Sequence, residues 1–243
     1  MSIQGGPDIV NDGLILHIDA ANNRSYVSGS TTWFDLSGNA DNSGSLLNGP
    51  IYSTDNGGSI IFDGTNDTVY VRRELSTLGT NSVTVNIWSK INVSDVTFRY
   101  LFHTGRFSSF HLGYTDGKMF SRLSGVPSDS GNIYNFPVYG TTTLPLNAWV
   151  MTTVVMDRSS DIKLYLNGKV EPTSASVNIS SANGVYFDGA GSYAVSIGSG
   201  KSNRNTPLEF HQGNISLVQL YFRALSAEEV RQNYNATKGR FGL

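Results

Sequence analysis

Retaining glycoside hydrolysis needs two carboxyl groups about 5 Å apart across the scissile bond. A strand supplies such a pair from acids on one face, two or four residues apart. The chain has five glutamates, Glu74, Glu171, Glu209, Glu228 and Glu229. None stands two or four residues from another acid on an expected strand, so no catalytic residue is assigned. The stretch GSGKS (198–202) has Val195 where the first glycine of a phosphate-binding loop belongs, and NRNTPLEF follows in place of a helix; it reads as a loop after a strand. His17, His103, His111 and His211 show no H-x-H or H-x-x-x-H spacing, which predicts sheet-face or loop positions and no zinc site. No serine sits in a G-x-S-x-G elbow. The absence of cysteine excludes a thiolate metal site, a cysteine nucleophile and a disulfide framework together. Asp63-Gly64-Thr65-Asn66-Asp67 puts hard oxygens in one tight turn, which suits either Ca2+ or carboxylates that cap backbone N–H groups. Both readings stay open; otherwise no cofactor and no metal are expected.

Binding chemistry has one candidate segment. SGVPSDSGNIYNFPVYG (124–140) carries Tyr134, Phe136 and Tyr139 among polar residues and is expected to be irregular, the kind of segment in which binding tends to sit. The three rings would either receive a glycan or partner, or plug the edge of the fold and pack on a neighbouring subunit. Composition narrows the partner. Charged residues are 15% of the chain, the formal net charge is −2, and no run of like charge appears, which argues against nucleic acid and anionic membrane. The N-terminus lacks a basic start followed by an apolar run, and no stretch approaches the ~20 apolar residues of a membrane span.

The elements that must hold these residues have period two. In 162–167 Ile, Leu and Leu alternate with Lys163, Tyr165 and Asn167, predicting a strand with one wet face. Asn167-Gly168 then supplies a hairpin turn, since both tolerate positive φ. Val83, Val85 and Ile87 repeat the pattern, as do Val218, Leu220 and Phe222. Trp149 to Met156 is nearly continuous in apolar and β-branched residues and predicts a strand covered on both sides. Further strands are expected at 14–18, 59–62, 69–72, 98–103, 110–114, 119–123 and 193–197. Ser226-Ala227-Glu228-Glu229 is a capping box that opens one short helix, with Val230 and Tyr234 at helical spacing. About a dozen short strands and one late helix predict an all-β sandwich. No linker or repeat divides it, and the first strand needs a partner that only the end of the chain can supply. Trp33, Phe62, Trp149, Leu164 and Leu220 are expected in the core. Residues 1–12 are expected to form an arm outside it, because Gly5-Gly6-Pro7 joins a central ladder poorly.

GLILHIDAAN (13–22), TTWFDLSGN (31–39), GGSIIFDGTNDTVYV (57–71), LNAWVMTTVVMD (146–157), IKLYLNGK (162–169) and GNISLVQLYFRALSAEEVRQNYNATKGRFGL (213–243) together resemble the concanavalin A-like lectin/glucanase superfamily, in its laminin-G-like branch. The resemblance covers most of 12–243, weakly over 92–144. It implies a jelly-roll sandwich of two curved antiparallel sheets over 13–243, with one short C-terminal helix. The E-x-D-x-x-E strand of the family's hydrolases is missing, so no enzyme is expected. The loop GSGKSNRNTP carries no acid where pentraxin-like relatives bind calcium.

The opening DGLILHIDAANNRSY, the block WFDLSGN…NSGSLLNGP and the ending QNYNATKGRFGL are similar to lectin-like domains in structural proteins of tailed bacteriophages. That similarity implies a non-enzymatic virion subunit (capsid decoration, fibre or tail-associated), made in the host cytoplasm and placed on the particle surface. It would contact other virion proteins and further copies of itself, with cell-surface glycans as additional partners; Tyr134, Tyr139, Tyr165 and Tyr221 are expected on wet faces and loops, where tyrosine suits contact. The alternative is a carbohydrate-binding, lectin-like adhesion module.

Overall fold

The computed structural model describes residues 7–38, 42–71, 80–104, 109–127, 133–182, 195–201 and 207–243. Its early strands are Leu14–Asp19 (β1), Thr32–Trp33 (β2), Gly44–Leu47 (β3), Ile51–Ser53 (β4), Ser59–Asp63 (β5) and Thr68–Val71 (β6). Val83–Ile91 (β7), Arg99–His103 (β8), Ser109–Thr115 (β9), Lys118–Pro127 (β10), Ile133–Thr143 (β11) and Trp149–Met156 (β12) follow. The last are Ile162–Leu166 (β13), Lys169–Val170 (β14), Val195–Ile197 (β15), Gly200–Lys201 (β16), Pro207–Leu208 (β17) and Gln212–Tyr221 (β18). The first sheet runs β14-β13-β12-β7-β18-β5-β4, with β1 also on β18; the second runs β11-β10-β9-β8-β15-β6-β3-β2. All pairs within the two sheets are antiparallel, and the sheets pack face to face as a jelly-roll sandwich.

One core fills the space between the sheets. Leu16, Phe62, Ile87, Val154, Leu164 and Leu220 point into it from the first sheet, and Trp33, Val69, Phe102, Leu112, Met119 and Ile197 from the second. The alternation read in 83–87 and 218–222 sends one face of each strand inward. Asn167 and Gly168 adopt φ of 51° and 74°, the left-handed pair that a two-residue hairpin needs, and join β13 to β14. The first strand takes its partner from the end of the chain, with Leu16 opposite Leu220 and Ile18 opposite Val218.

The outer face of the first sheet is not wet. Trp88, Met151, Val155, Tyr165, Leu217 and Tyr221 form a second apolar cluster there with Val10, Leu225, Val230 and Phe241. Helix α1, Ala227–Thr237, and the 3-10 turn Lys238–Phe241 lie on it. Tyr165 and Tyr221, expected on wet surfaces, are therefore buried: strand alternation separates two faces but does not say what covers the second. Trp149 corrects a further expectation. It is half-buried on this same outer face, against Phe241, with its indole N–H donated to Asn56 Oδ1 (2.8 Å). Trp88 is the tryptophan that is fully buried there.

Residues 8–12 are stitched to the same cluster. Val10 N–H donates to Asn233 Oδ1 (2.8 Å), its carbonyl accepts from the Tyr221 hydroxyl (2.9 Å), and Asp12 pairs with Arg223 (3.0 Å). Val10 is buried, so this part of the arm contributes to stability. The capping box closes as read: Glu229 N–H donates to Ser226 Oγ (3.2 Å) and Ser226 N–H to Glu229 Oε2 (2.8 Å). We expect Ser226→Ala to cost about 0.5–2 kcal/mol in urea denaturation, since it orphans a first-turn N–H. No helix among the described residues is long and apolar enough to cross a membrane.

The segment 124–140 is corrected most. It is not an irregular loop: β10 and β11 pair through most of it, with Leu123 opposite Phe136 and Phe120 opposite Tyr139. Pro137 fits in β11 because β11 is the edge strand of its sheet, where a missing N–H is tolerated.

Candidate functional site

Among the described residues no helix lies on the outer face of the second sheet, and its outward side chains form two rows across four strands. One row is Tyr139 on β11, Phe120 on β10, Gly113 on β9 and Tyr100 on β8, each opposite the next. The other is Pro137, Arg122, His111 and His103, continued by Ser196 on β15 and Tyr70 on β6. Gly113 is required where it stands, because a Cβ there would come within 2.2 Å of Arg99 O and 2.9 Å of the Phe120 ring.

The floor of this face is aromatic. The Tyr100 ring meets Phe120 edge-on (centroids 5.4 Å), as Phe98 does (5.0 Å); Tyr100 lies 5.2 Å from both His103 and His111, and those two rings are 4.3 Å apart. Tyr139 lies 6.3 Å from Phe120, and the Arg122 guanidinium sits 5.9 Å above Phe98. Phe120 and Tyr100 are buried, whereas Tyr139, Arg122, Phe98 and Glu209 are half-buried and reach solvent.

Glu209 comes to this face from the turn between β17 and β18. Its φ of 53° is left-handed, which costs a non-glycine residue energy and persists only where surroundings impose it. Those surroundings are Tyr100, whose N–H donates to Glu209 O (3.2 Å) and whose hydroxyl donates to the Glu209 carboxylate. Burial raises the Glu209 carboxyl above the usual carboxylate range despite the opposing pull of Arg122 and Tyr100. Burial, helped by Glu209, pushes the Tyr100 phenol up to about 12. Burial holds His111 well below the usual imidazole value, reinforced by His103 and Arg122. The face therefore presents a neutral phenol, a neutral imidazole, one carboxyl and one guanidinium.

The three rings singled out in the sequence do not converge. Tyr139 belongs to this face. Phe136 packs against the inter-sheet core. Tyr134 stands opposite Val126 near the hairpin end, and its side chain lies outside the described residues, as does Glu74. Tyr100, Arg122 and Glu209 were missed. The only local trace was Phe120-x-Arg122-x-Ser124, an alternation that puts an aromatic ring and a charge on one strand face.

Other candidates have structural work. Asp63 Oδ1 accepts from Thr65 N–H (2.7 Å) and Asn66 N–H (3.3 Å), and Asp67 Oδ2 accepts from Asp63 N–H (2.9 Å). The backbone donors lower the Asp63 carboxyl and burial raises that of Asp67. Glu171, buried at the rim, accepts from Thr141 and Thr142 N–H. Of the loop after Ile197, Gly200–Lys201 pairs with Pro207–Leu208, and 202–206 lie outside the described residues. Among the described residues no three His, Asp or Glu side chains gather as metal ligands would.

Residues 63–231 match the laminin-G-like family model described as concanavalin A-like lectin/glucanases superfamily. The chain belongs to that superfamily. The match takes in β6 to β18 and every residue of the outer face described above. No curated protein sequence matches the chain. Among solved structures it is similar to the binding domain of Paraclostridial Mosquitocidal Protein 1 (TM-score 0.65, 17% identity, 93% of this chain and 52% of that one). It is also similar to the receptor binding domain of a botulinum neurotoxin C/D mosaic serotype (0.66, 16%, 93% and 51%). A third is the botulinum neurotoxin serotype D ligand binding domain in complex with N-acetylneuraminic acid (0.61, 15%, 93% and 51%). The chain thus spans about half the length of these structures, and at such identities the likeness is one of fold.

Proposed function

We propose that this superfamily member is a lectin-like carbohydrate-binding module and that the outer face of its second sheet receives the glycan. One observation carries the reading: half-buried Tyr139, Arg122 and Glu209 stand beside a buried aromatic floor on a sheet face that no helix of the described residues covers. An aromatic ring offers a sugar its apolar face, and a carboxyl and a guanidinium take its hydroxyls by charge-assisted hydrogen bonds. The binding and receptor-binding domains with this fold support the assignment. In this reading the site binds and does not cleave: no second acid among the described residues acts on Glu209, and a glycosidase needs two carboxyls. Glycan-array screening followed by calorimetry should find a bound glycan, and Tyr139→Ala should weaken it at least tenfold, about 1.4 kcal/mol. Full affinity in that variant, or release of reducing ends that one acid mutation abolishes, would sink the reading.

A second reading, a phage-particle subunit acting by protein contact on the virion surface, is favoured by a different region. Val27, Phe34, Leu47 and Ile51 are exposed large apolar side chains from one short stretch of chain. Ile51 lines a groove of about 420 Å³ together with Tyr26, Tyr52, Leu46 and the loop Ser28–Thr31, near the edge strands β2 and β4. Contact there between copies or with another virion protein should bury at least ~1,000 Å² in total. Its test is whether the protein is found in purified particles; its absence from them would leave the glycan reading alone.

A further inference from the structure

We infer that the glycan taken by this face carries a carboxylate, with Arg122 as its receptor; the inference rests on the reading of the face as a sugar site. Three other partly buried guanidinium groups of the sandwich sit in ion pairs. Arg99 meets Asp95 (2.9 Å), Arg223 meets Glu229 (2.6 Å) and Arg240 meets Asp19 (2.7 Å). Arg122 is half-buried and forms no ion pair among the described residues, and its Nε is buried without a hydrogen-bond partner. What it has is the Phe98 ring beneath it and Pro137 across the strand pair. Glu209, the acid it feels, is already engaged by the Tyr100 hydroxyl.

A desolvated cation without a counter-charge is costly. Where three comparable groups sit in close ion pairs, Arg122 has only the longer-range pull of Glu209, and a carboxylate on the ligand would supply the close partner. The planar fork of a guanidinium matches a carboxylate through two parallel N–H···O bonds. Tyr139, one strand over and half-buried, stands where a pyranose ring attached to that carboxylate would lie, and the Glu209 carboxyl would accept from its hydroxyls.

The test titrates the full chain, by calorimetry and by amide and guanidinium NMR, with three probes: a glucuronate- or sialate-terminated oligosaccharide, its neutral counterpart lacking the acidic residue, and a sulfated counterpart. We expect the carboxylated probe to bind at least tenfold tighter than the neutral one, to weaken with salt, and to shift the Arg122 Nε resonance. Arg122→Gln should remove that preference by weakening the carboxylated probe more than the neutral one, and its thermal midpoint should be unchanged or higher, which a structural arginine would not allow. Arg122→Lys, which keeps the charge without the fork, should retain only part of the preference and serves if the glutamine variant fails to fold. Equal affinity for carboxylated and neutral probes overturns the inference while the sugar reading stands. An unaltered preference in Arg122→Gln, or equal binding of the sulfated probe, likewise overturns it. Binding of none of the probes overturns both.

Discussion

Trp88→Ala should lower the stability of the sandwich by about 3–5 kcal/mol, the cost of emptying a large buried aromatic site. Trp88 stands on the outer face of the first sheet, fully buried. Phe241 stacks on it at 4.1 Å, Tyr234 at 5.7 Å, and its indole N–H donates to Thr237 Oγ1 at 2.7 Å. Three successive turns of the C-terminal segment thus converge on one ring, so its removal should loosen α1 and the 3-10 turn together. Trp88→Phe keeps an aromatic ring and gives up the hydrogen bond, so it should cost less, with about 1 kcal/mol assignable to that bond. Urea denaturation of the three proteins measures both steps. An alanine variant within 1 kcal/mol of wild type would mean that the helix is held elsewhere.

Acid should destabilise the protein well above the carboxylate range. Burial holds His211 at about 3 and His111 well below its usual value. The His211 ring has Tyr114 Oη 3.0 Å from its Nδ1, and its Nε2 is buried with no partner among the described residues. In the unfolded chain each imidazole takes a proton near pH 6.5. Below that pH the unfolded state binds more protons than the native one, so stability falls as pH falls. Each histidine contributes about 1.4 kcal/mol per pH unit, and for His211 the loss continues down to about pH 3. Glu229, held at about 2 by Arg223, adds a loss of the same sign as pH falls below its ordinary value of 4.5. Asp67 and Glu209, raised by burial, take their protons earlier in the native state than in the unfolded chain and so act in the opposite sense, offsetting part of the histidine loss. Denaturation at pH 7 and 5 reads the slope. His211→Gln should flatten it by one histidine's share whatever it does to stability at pH 7; an unchanged slope would count against a buried neutral His211.

The frame was legible because its signals are local or come from exclusion. Asn167-Gly168 and Ser226-x-x-Glu229 each specify a turn or a cap from two residues, and β1 found its partner in β18 because other strands had nearer neighbours. Coverage was not legible. Tyr165 and Tyr221 alternate as solvent-facing residues do, and only the helix lying across them decides otherwise. Pattern alone puts Trp149 in the core, at the head of a nearly continuous apolar run, and gives no such sign for Trp88 after the alternating Val83, Val85 and Ile87; the difference is that the C-terminal turn lies over Trp88 fully and over Trp149 partly. The site was legible at Tyr139 alone. Tyr100, Arg122 and Glu209 come from β8, β10 and the approach to β18, and register across the sheet, not spacing along the chain, brings them to one face. No single segment of sequence contains that register.

The pairing of β1 with β18 also governs the order of events during synthesis. Leu16 waits for Leu220, and at about 5–20 residues per second a ribosome needs on the order of 10–40 s to make the intervening chain. Throughout that time Leu-Ile-Leu in β1 is a nascent apolar strand with no edge to join, the kind of segment that recruits another chain. His17 and Asp19 interrupt the strand on its C-terminal side, and a charge within such a segment opposes self-association. Asp19, which in the finished protein receives Arg240, is thus a gatekeeper first and a counter-ion afterwards.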